Sequence, residues 1–596
     1  MNEKSKSIWQ KSWKGPGALL AGFLIIGFAS FVAIFALELV SAKNNSAKEL
    51  LLFAFLIALS IATALTLLFA FLRWLCCWRN FRRTLFALAC LATLFALFYA
   101  EENWRGKHAW EKYKRDQEAK GENFDLKSIA PPPVPDDQNF AMSPLWVEEV
   151  SAQMGLERAK VWYGEKVAAL GHTNFIRPLA MPAELNVKGV DFTNGTNSWQ
   201  KGEKFDLKLW QDYYRRLAAV TNFFPVAPQP QTPAADVLLA LSKYDSNIEK
   251  LRTASKLPYS RFPLGYDDDN PSGILLPHLA SFKGCVTTLQ LRANAELEAG
   301  QAEKALEDIR LMLRLTEAIR NEPITISHLV RVSMLQIELQ AIWEGLAGHS
   351  WNDAQLAALD AELAKLDFLA DYSFFMRGER AFGVGIIDYL RRNRNALQNI
   401  GAPEREDGRP ENKLEQTMKN LPGQLIPGGW FEQNKIAIGQ MHIDYLLPIV
   451  NLETRTVSPS AQKRASDACA GIKLTPYNWF TRLLLSSLSK ISQKLARAQT
   501  STDLARIACA LERYRLANGK FPETLAALAP QFMQKIPHDV INGRPLNYHL
   551  TNDKQFILYS VGWNETDDGG SVVLGTGKTP SVDINQGDWV WKYPKE

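Results

Sequence analysis

The sequence predicts a mainly α-helical protein in three parts: an N-terminal anchor of three transmembrane helices, a large helical soluble domain and a small α+β domain at the C-terminus. Three observations predict it. Nearly all the strongly apolar sequence lies before Ala100. Apolar residues recur at three- and four-residue spacing through Leu291–Ile319, the period of a helix that buries one face. Past residue 500 an amphipathic stretch stops at Asn518-Gly519, and short strand-like segments follow.

The anchor rests on three apolar runs, Ala18–Val40, Leu50–Leu75 and Leu85–Ala100. A helix needs roughly 20 apolar residues to cross the hydrocarbon core, with a range of about 17–25. The first two runs meet this, and the third is at the short end. Val40-Ser41-Ala42 resembles a signal-peptide cleavage site, but a signal's apolar region is roughly 7–15 residues. The longer run, followed by two more, predicts an uncleaved anchor. Lys4, Lys6, Lys11 and Lys14 precede the first run, and Arg73, Arg79, Arg82 and Arg83 crowd the end of the second and the loop after it. The first loop carries only Lys43 and Lys48. Because Lys and Arg collect on the cytoplasmic side, the N-terminus is expected in the cytoplasm and everything after Ala100 outside it. Arg105, Lys107, Lys112, Lys114 and Arg115 argue against this orientation.

Glu101–Lys127 is charged and reads as a helix leaving the membrane. Ala130-Pro-Pro-Pro-Val-Pro135 then favours extended polyproline II, a semi-rigid spacer. Ser143–Ala169 and Leu207–Val220 read as helical, Leu185–Lys204 as short strands and turns, and Phe224–Pro233 as a loop. Asp267-Asp-Asp-Asn270 fails the EF-hand spacing and reads as an acidic turn or helix cap. Leu279–Leu390 is the clearest helical block, with helices at Ile324–Leu346 and Asp353–Phe368. Within the block, Ala295, Leu297, Gly300, Ala305 and Leu306 follow an order that looks like a single tetratricopeptide helix pair turning at Gly300. Ile400–Pro427 reads as an exposed loop, Trp430–Ile449 as a helix and Asn451–Ala470 as a connection. These readings divide the chain into residues 1–100 (anchor), 101–140 (charged helix and linker), 141–277 (mixed α with short strands), 278–495 (helical) and 496–596 (α+β).

In the last segment Leu504, Ile507, Ala508, Leu511 and Tyr514 share a helix face. Then come Leu511-Glu-Arg-Tyr-Arg-Leu-Ala-Asn-Gly-Lys-Phe-Pro522, Ile536-Pro537-His-Asp539, Leu558-Tyr-Ser-Val-Gly562, Gly569-Gly570 and Asp583-Ile584. This order resembles the soluble domain of the type II secretion major pseudopilin, over about the last hundred residues. The upstream helical region is similar to uncharacterised membrane-anchored proteins with the same ending. The resemblance implies a small α+β domain. It also implies calcium as a cofactor, held in the loop after the last long strand by Asn564, Asp567, Asp568 and Asp583; an Asp-rich turn held by side-chain hydrogen bonds is the alternative. At the other end, Gly22-Phe23 imitates a pseudopilin leader site, but Gly27 stands where that family has Glu. A fixed anchor rather than a filament subunit is therefore expected.

A net charge of +5 and the absence of any nucleic-acid-binding signature point away from nucleic acid as a partner. Cys285, Cys469 and Cys509 have no metal-ligand spacing, leaving a disulfide or buried free thiols. Gly575-Thr-Gly-Lys578-Thr579 approaches a nucleotide loop but has Val572 where its first Gly belongs, and Pro580 follows. No His pair has metalloprotease spacing and no nucleophile elbow occurs. Glu296, Glu298 and Glu379 are candidates for a hydrolase with dispersed acids, but exposed helix faces explain them better. The expected role is a membrane-anchored, extracytoplasmic interaction or scaffold protein of a bacterial inner membrane, linked to secretion or envelope assembly. Its expected partners are membrane lipid and another envelope protein. An envelope hydrolase is the alternative.

Overall fold

The computed structural model describes residues 78–168, 198–219, 223–399, 423–485, 488–576 and 581–593, with Phe28, Val32, Ile57 and residues 59–68. The strands expected over 185–197, the loop expected over 400–422 and Lys578–Pro580 lie outside the described residues. So do the first apolar run, apart from Phe28 and Val32, and much of the second. The chain divides into two compact units, Met1–Glu102 and Asn103–Glu596.

Among the described residues one helix is long and apolar enough to cross a membrane, α1 (Trp78–Glu118); residues 59–68 form a shorter apolar helix. The sequence reading ended the third membrane run at Ala100 and began a separate charged helix at Glu101. Instead, α1 runs unbroken through 41 residues, about 60 Å at 1.5 Å per residue. No proline interrupts it, and the Glu, Lys and Arg that follow Ala100 are strong helix formers that propagate the preceding turns. Leu85, Phe86, Leu91, Leu94 and Leu97 on the apolar half are all exposed.

The second unit is mainly helical with small antiparallel sheets at its C-terminal end. Its principal core is continuous from Leu126 to Tyr593, so the divisions expected at 140, 277 and 495 do not separate cores. The proline segment is not a free spacer. The Pro131 carbonyl accepts from Arg261 Nε at 2.9 Å, and the Phe140 amide donates to the Tyr259 carbonyl at 2.8 Å. The helix expected over 143–169 is broken at Gly155 and Gly164 into α2 (Pro144–Met154) and two shorter helices. Next come α3 (Leu207–Ala218), α4 (Pro233–Leu241) and α5 (Asp245–Ser255). Tyr213 and Tyr214 on α3 are core residues, and Trp210 packs against them. Asn270 caps the turn at Pro271–Gly273 through the Ser272 amide, the helix-cap reading of that acidic stretch.

The centre is a three-helix layer: α6 (Pro277–Glu298), α7 (Ala302–Ala318) and α8 (Thr325–Ala347). The α6–α7 hairpin turns at Gly300, whose φ of +74° is one that glycine adopts without penalty. α9 (Asp353–Leu363) begins with a capping box between Asn352 and Gln355, worth about 1 kcal/mol. α10 (Phe368–Arg392) crosses the α7–α8 loop so closely that a Cβ at Gly378 would meet the Pro323 carbonyl at 2.1 Å. α11 (Gly428–Gln440) occupies the helix position expected near Trp430.

The connection expected over Asn451–Ala470 is instead ordered structure. β1 (Val450–Asn451) pairs with β2 (Thr456–Val457), and α12 (Pro459–Ala470) follows. The cause was present in the sequence: Ser458 accepts from the Ala461 amide at 3.1 Å, and Pro459 at the first helical position has its φ already set. Cys285, Cys469 and Cys509 are free thiols, Cys285 and Cys509 buried and Cys469 partly exposed.

α13 (Ile491–Asn518) begins before the amphipathic stretch read past residue 500, because Leu495, Ala496 and Ala498 extend its buried face. It ends at Gly519 in the left-handed conformation, as its sequence predicts. It packs against β4 and β7 of the sheet β3 (Asn547–Leu550), β4 (Phe556–Ser560) and β7 (Trp589–Lys592), all antiparallel in the order β3–β4–β7. Phe556, Leu558, Trp589 and Trp591 are among its buried residues. β5 (Val572–Leu574) and β6 (Val582–Gly587) form a separate hairpin.

Several carboxyl groups lie inside this unit. Glu338 on α8 is fully buried, and burial pushes its pKa up to about 8; burial likewise raises Asp503 to about 7. The folded state then holds protons that the unfolded chain has already released. Stability therefore falls as pH rises from about 6.5 to 8, by up to about 1.4 kcal/mol per pH unit for each proton involved. Below that window His328 and His442, whose pKa values burial depresses, act with the opposite sign. Urea midpoints of the detergent-solubilised chain at pH 6.5 and 8 are expected to show this decline. Glu338→Gln is expected to flatten it.

Candidate functional site

The acidic loop after β4 is organised differently from the expected cation site. Asp567 accepts from Tyr559 Oη and the Gly569 amide, both at 3.0 Å. Asn564 Nδ2 donates to Asp568 at 2.9 Å, placing a hydrogen-bond donor where a calcium site has only oxygens. Asp583 turns to Asn585, accepting its amide at 2.9 Å and its side chain at 2.8 Å. The structure thus brings Asn564 and Asp568 together and commits Asp567 and Asp583 to local turns. Among the described residues no three His, Cys, Asp or Glu side chains form a metal-binding group. As arranged, these donors do not fit a calcium ion.

The residue that closes the loop is Asp588, which sequence reading passed over. It accepts the backbone amides of Asp568 (3.2 Å), Gly570 (2.7 Å) and Ser571 (3.2 Å) while itself buried. Burial raises its pKa, against the lowering effect of those amides. Asp539, inside the matched word Ile536–Asp539, acts similarly. It takes the Ile541 and Val561 amides and the Ser560 hydroxyl, fixing β4 to the preceding loop.

The dispersed carboxylates do not converge. Glu296 is buried rather than on an exposed face, paired with Arg292 at 3.2 Å beside Asp308. Glu298 is exposed, and Glu379 on α10 accepts from Thr325 at 2.6 Å. A Ser–Glu–His cluster exists at the start of α8: Glu322 bonds Ser327 through one oxygen and His278 Nε2, at 2.8 Å, through the other. The carboxylate stands between serine and imidazole, so the histidine cannot take the serine's proton. All three are buried beneath Phe262, which stacks on His278 at 4.1 Å. This cluster holds helices together.

A different site emerges where α6, α8 and α13 meet a turn at Trp199–Lys201. The turn is fixed to α8: Gln340 Oε1 accepts the Trp199 amide at 2.6 Å, and Gln340 Nε2 donates to the Glu203 carbonyl at 3.1 Å. Leu329, Val332, Ser333, Gln336 and Gln340 lie on one α8 stripe at helical spacing and form the groove's floor. Lys283 comes from α6, Lys494 and Arg497 from successive turns of α13, and Ile584 from β6. The space enclosed is about 560 Å³. Among the described residues its lining includes three cations and no carboxylate. Gln200 bridges it, donating to Gln336 at 2.6 Å and accepting from Arg497 Nη2 at 2.5 Å. Burial without a counter-ion brings the Arg497 pKa down to about 10.

Sequence reading did not find this site. Lys494 and Arg497 are three apart on a helix whose intervening residues are core, but their relation to Lys283 is set only by the fold. No protein-family model, characterised protein or solved structure matches the chain.

Asp588→Ala strands three amides that the native loop satisfies. It is expected to cost about 2 kcal/mol, seen as a lower thermal midpoint. Calcium addition tests the cation expectation on the same loop: a saturable rise in the midpoint supports it, and no shift at millimolar calcium removes it.

Proposed function

We propose that this chain is a membrane-anchored binding protein of the bacterial cell envelope, with its folded unit outside the cytoplasm and a protein or ligand partner rather than a chemical transformation as its role. The observation that carries this reading is α1. Its Leu85–Ala100 segment exposes large apolar side chains on every face, which suits lipid and not water. The Lys and Arg bias around the apolar runs favours the extracytoplasmic orientation. The pseudopilin resemblance implies a small α+β domain for the last hundred residues, and a link to secretion or envelope assembly rests on that resemblance.

The groove supports binding over catalysis. It offers cations and amides but no described carboxylate, histidine or thiol to move a proton or attack a substrate. No observation favours the hydrolase alternative, since its three glutamates lie in separate surroundings.

Topology is the deciding measurement. A reporter active only outside the cytoplasm, fused after Lys127, is expected to be active, with the chain recovered in the membrane fraction. A cytoplasmic reporter active at the same point overturns the orientation and with it the envelope role.

A further inference from the structure

We infer that the groove between α6, α8 and α13 is a binding site for a small organic anion, a carboxylate or phosphate ester on a partly apolar body, with Arg497 as its principal anchor. The inference deepens the binding reading above but does not depend on membrane orientation.

The argument turns on how this protein treats its other enclosed arginines. Arg331 is met by Asp371 and Glu317, each at 2.6 Å. Arg380 is met by Glu122 at 2.6 Å, and Arg252 by Asp308. Arg314, which has no ion pair among the described residues, is held by the carbonyls of Ser255 (3.0 Å) and Leu257 (2.9 Å). Among the described residues Arg497 has a single acceptor, the neutral Gln200 amide oxygen. A guanidinium carries five N–H donors in a planar fork. None of the Arg497 nitrogens is sealed from solvent without a partner, and the side chain lines both the groove and the small recess beside it. A partly enclosed guanidinium whose remaining donors are uncommitted attracts an anion, and an anion entering the groove supplies the charged partner.

The neighbours fit the same ligand. Lys494 and Lys283 are exposed at the rim, with no carboxylate partner among the described residues, and they raise the local positive potential. Gln200 holds Arg497 in place through its link to Gln336, so the fork is preorganised. Gln290 and Ser333 supply polar groups along the wall. Leu329, Val332 and Ile584 give the groove an apolar side, where inorganic phosphate gains nothing and an organic body does. Asp588 lines the small adjoining recess, but the loop amides occupy its carboxylate.

The test is calorimetric titration of the detergent-solubilised full chain with four probes: N-acetyl-leucine, its neutral amide N-acetyl-leucinamide, phenyl phosphate and inorganic phosphate. At least one of the two organic anions is expected to bind saturably, and which one does identifies the anionic group. Inorganic phosphate is expected to bind at least about tenfold more weakly, and the neutral amide not at all. Arg497→Gln is expected to weaken the organic anion at least about tenfold, the loss of a charge-assisted hydrogen bond. The Lys283→Gln/Lys494→Gln double variant changes only exposed side chains and keeps the fold, and it is expected to weaken binding in the same direction. Equal binding of the neutral amide, unchanged binding in the double variant, or no binding of either organic anion at millimolar concentration overturns the proposal.

Discussion

The buried guanidinium of Arg331 is the constraint on which the helical layer depends. It sits on α8 with no exposure to solvent and reaches in three directions. Its Nε donates to the Thr316 carbonyl at 2.8 Å, and Glu317 and Asp371 take its terminal nitrogens. One side chain thereby ties the C-terminal turn of α7 to the start of α10. Arg320 joins through Asp371 at 2.9 Å, and His328 stacks on Phe375 at 4.5 Å beside it. A buried ion pair contributes little over an apolar replacement, but losing one partner is severe, about 3–5 kcal/mol. Its role here is to set the register of three helices, because carboxylates on α7 and α10 meet one fork only in a single arrangement.

That register decides what the rest of α8 can do. With Arg331, Leu335, Glu338 and Ile342 facing inward, the stripe from Leu329 to Gln340 is left toward the Trp199 turn and α13. The far end of α8 meets the C-terminal sheet: Trp343 Nε1 donates to the Lys592 carbonyl at 2.9 Å, and His349 pairs with Glu512 of α13 at 2.9 Å. The small sheet is therefore not an appendage. Trp199 packs against Trp591 at 5.1 Å, so the turn that walls the groove and the last strand share one aromatic contact. The groove is the seam where the helical layer, the turn and the C-terminal domain are drawn together.

What the sequence disclosed follows from how local the causes are. The α6–α7 hairpin was legible because Gly300 and the period through Leu291–Ile319 are local signals. The end of α13 at Asn518-Gly519 was legible for the same reason. α12 was missed although Ser458-Pro459 announced it, because its polar sequence carries a weak apolar stripe with only Ala461 and Ala465 buried. The acidic loop was found but its keystone was not. Asp588 lies across the β5–β6 hairpin from the amides it holds, and nothing in the spacing of Asn564, Asp567 and Asp568 reveals that a distant carboxylate accepts the loop's amides. Glu296 was misread as exposed because its helix face is charged in sequence, yet Arg292 and Asp308 close over it.

The groove was the least legible feature, and the reason is general. A recess of one charge sign is defined as much by which carboxylates stay away as by which cations arrive. Sequence spacing reports only neighbours on the same element. α13 shows both outcomes within three turns: Arg506 meets Asp360 of α9 at 2.8 Å, whereas Arg497 meets an amide. Both arginines follow an alanine on the same helix, and nothing local distinguishes them. What differs is the opposing surface, an acidic helix in one case and the glutamine and aliphatic stripe of α8 in the other. Because Arg331 fixes that stripe from the far side of the same helix, the ion pairs of the core and the unpaired cation of the groove are two consequences of one packing arrangement.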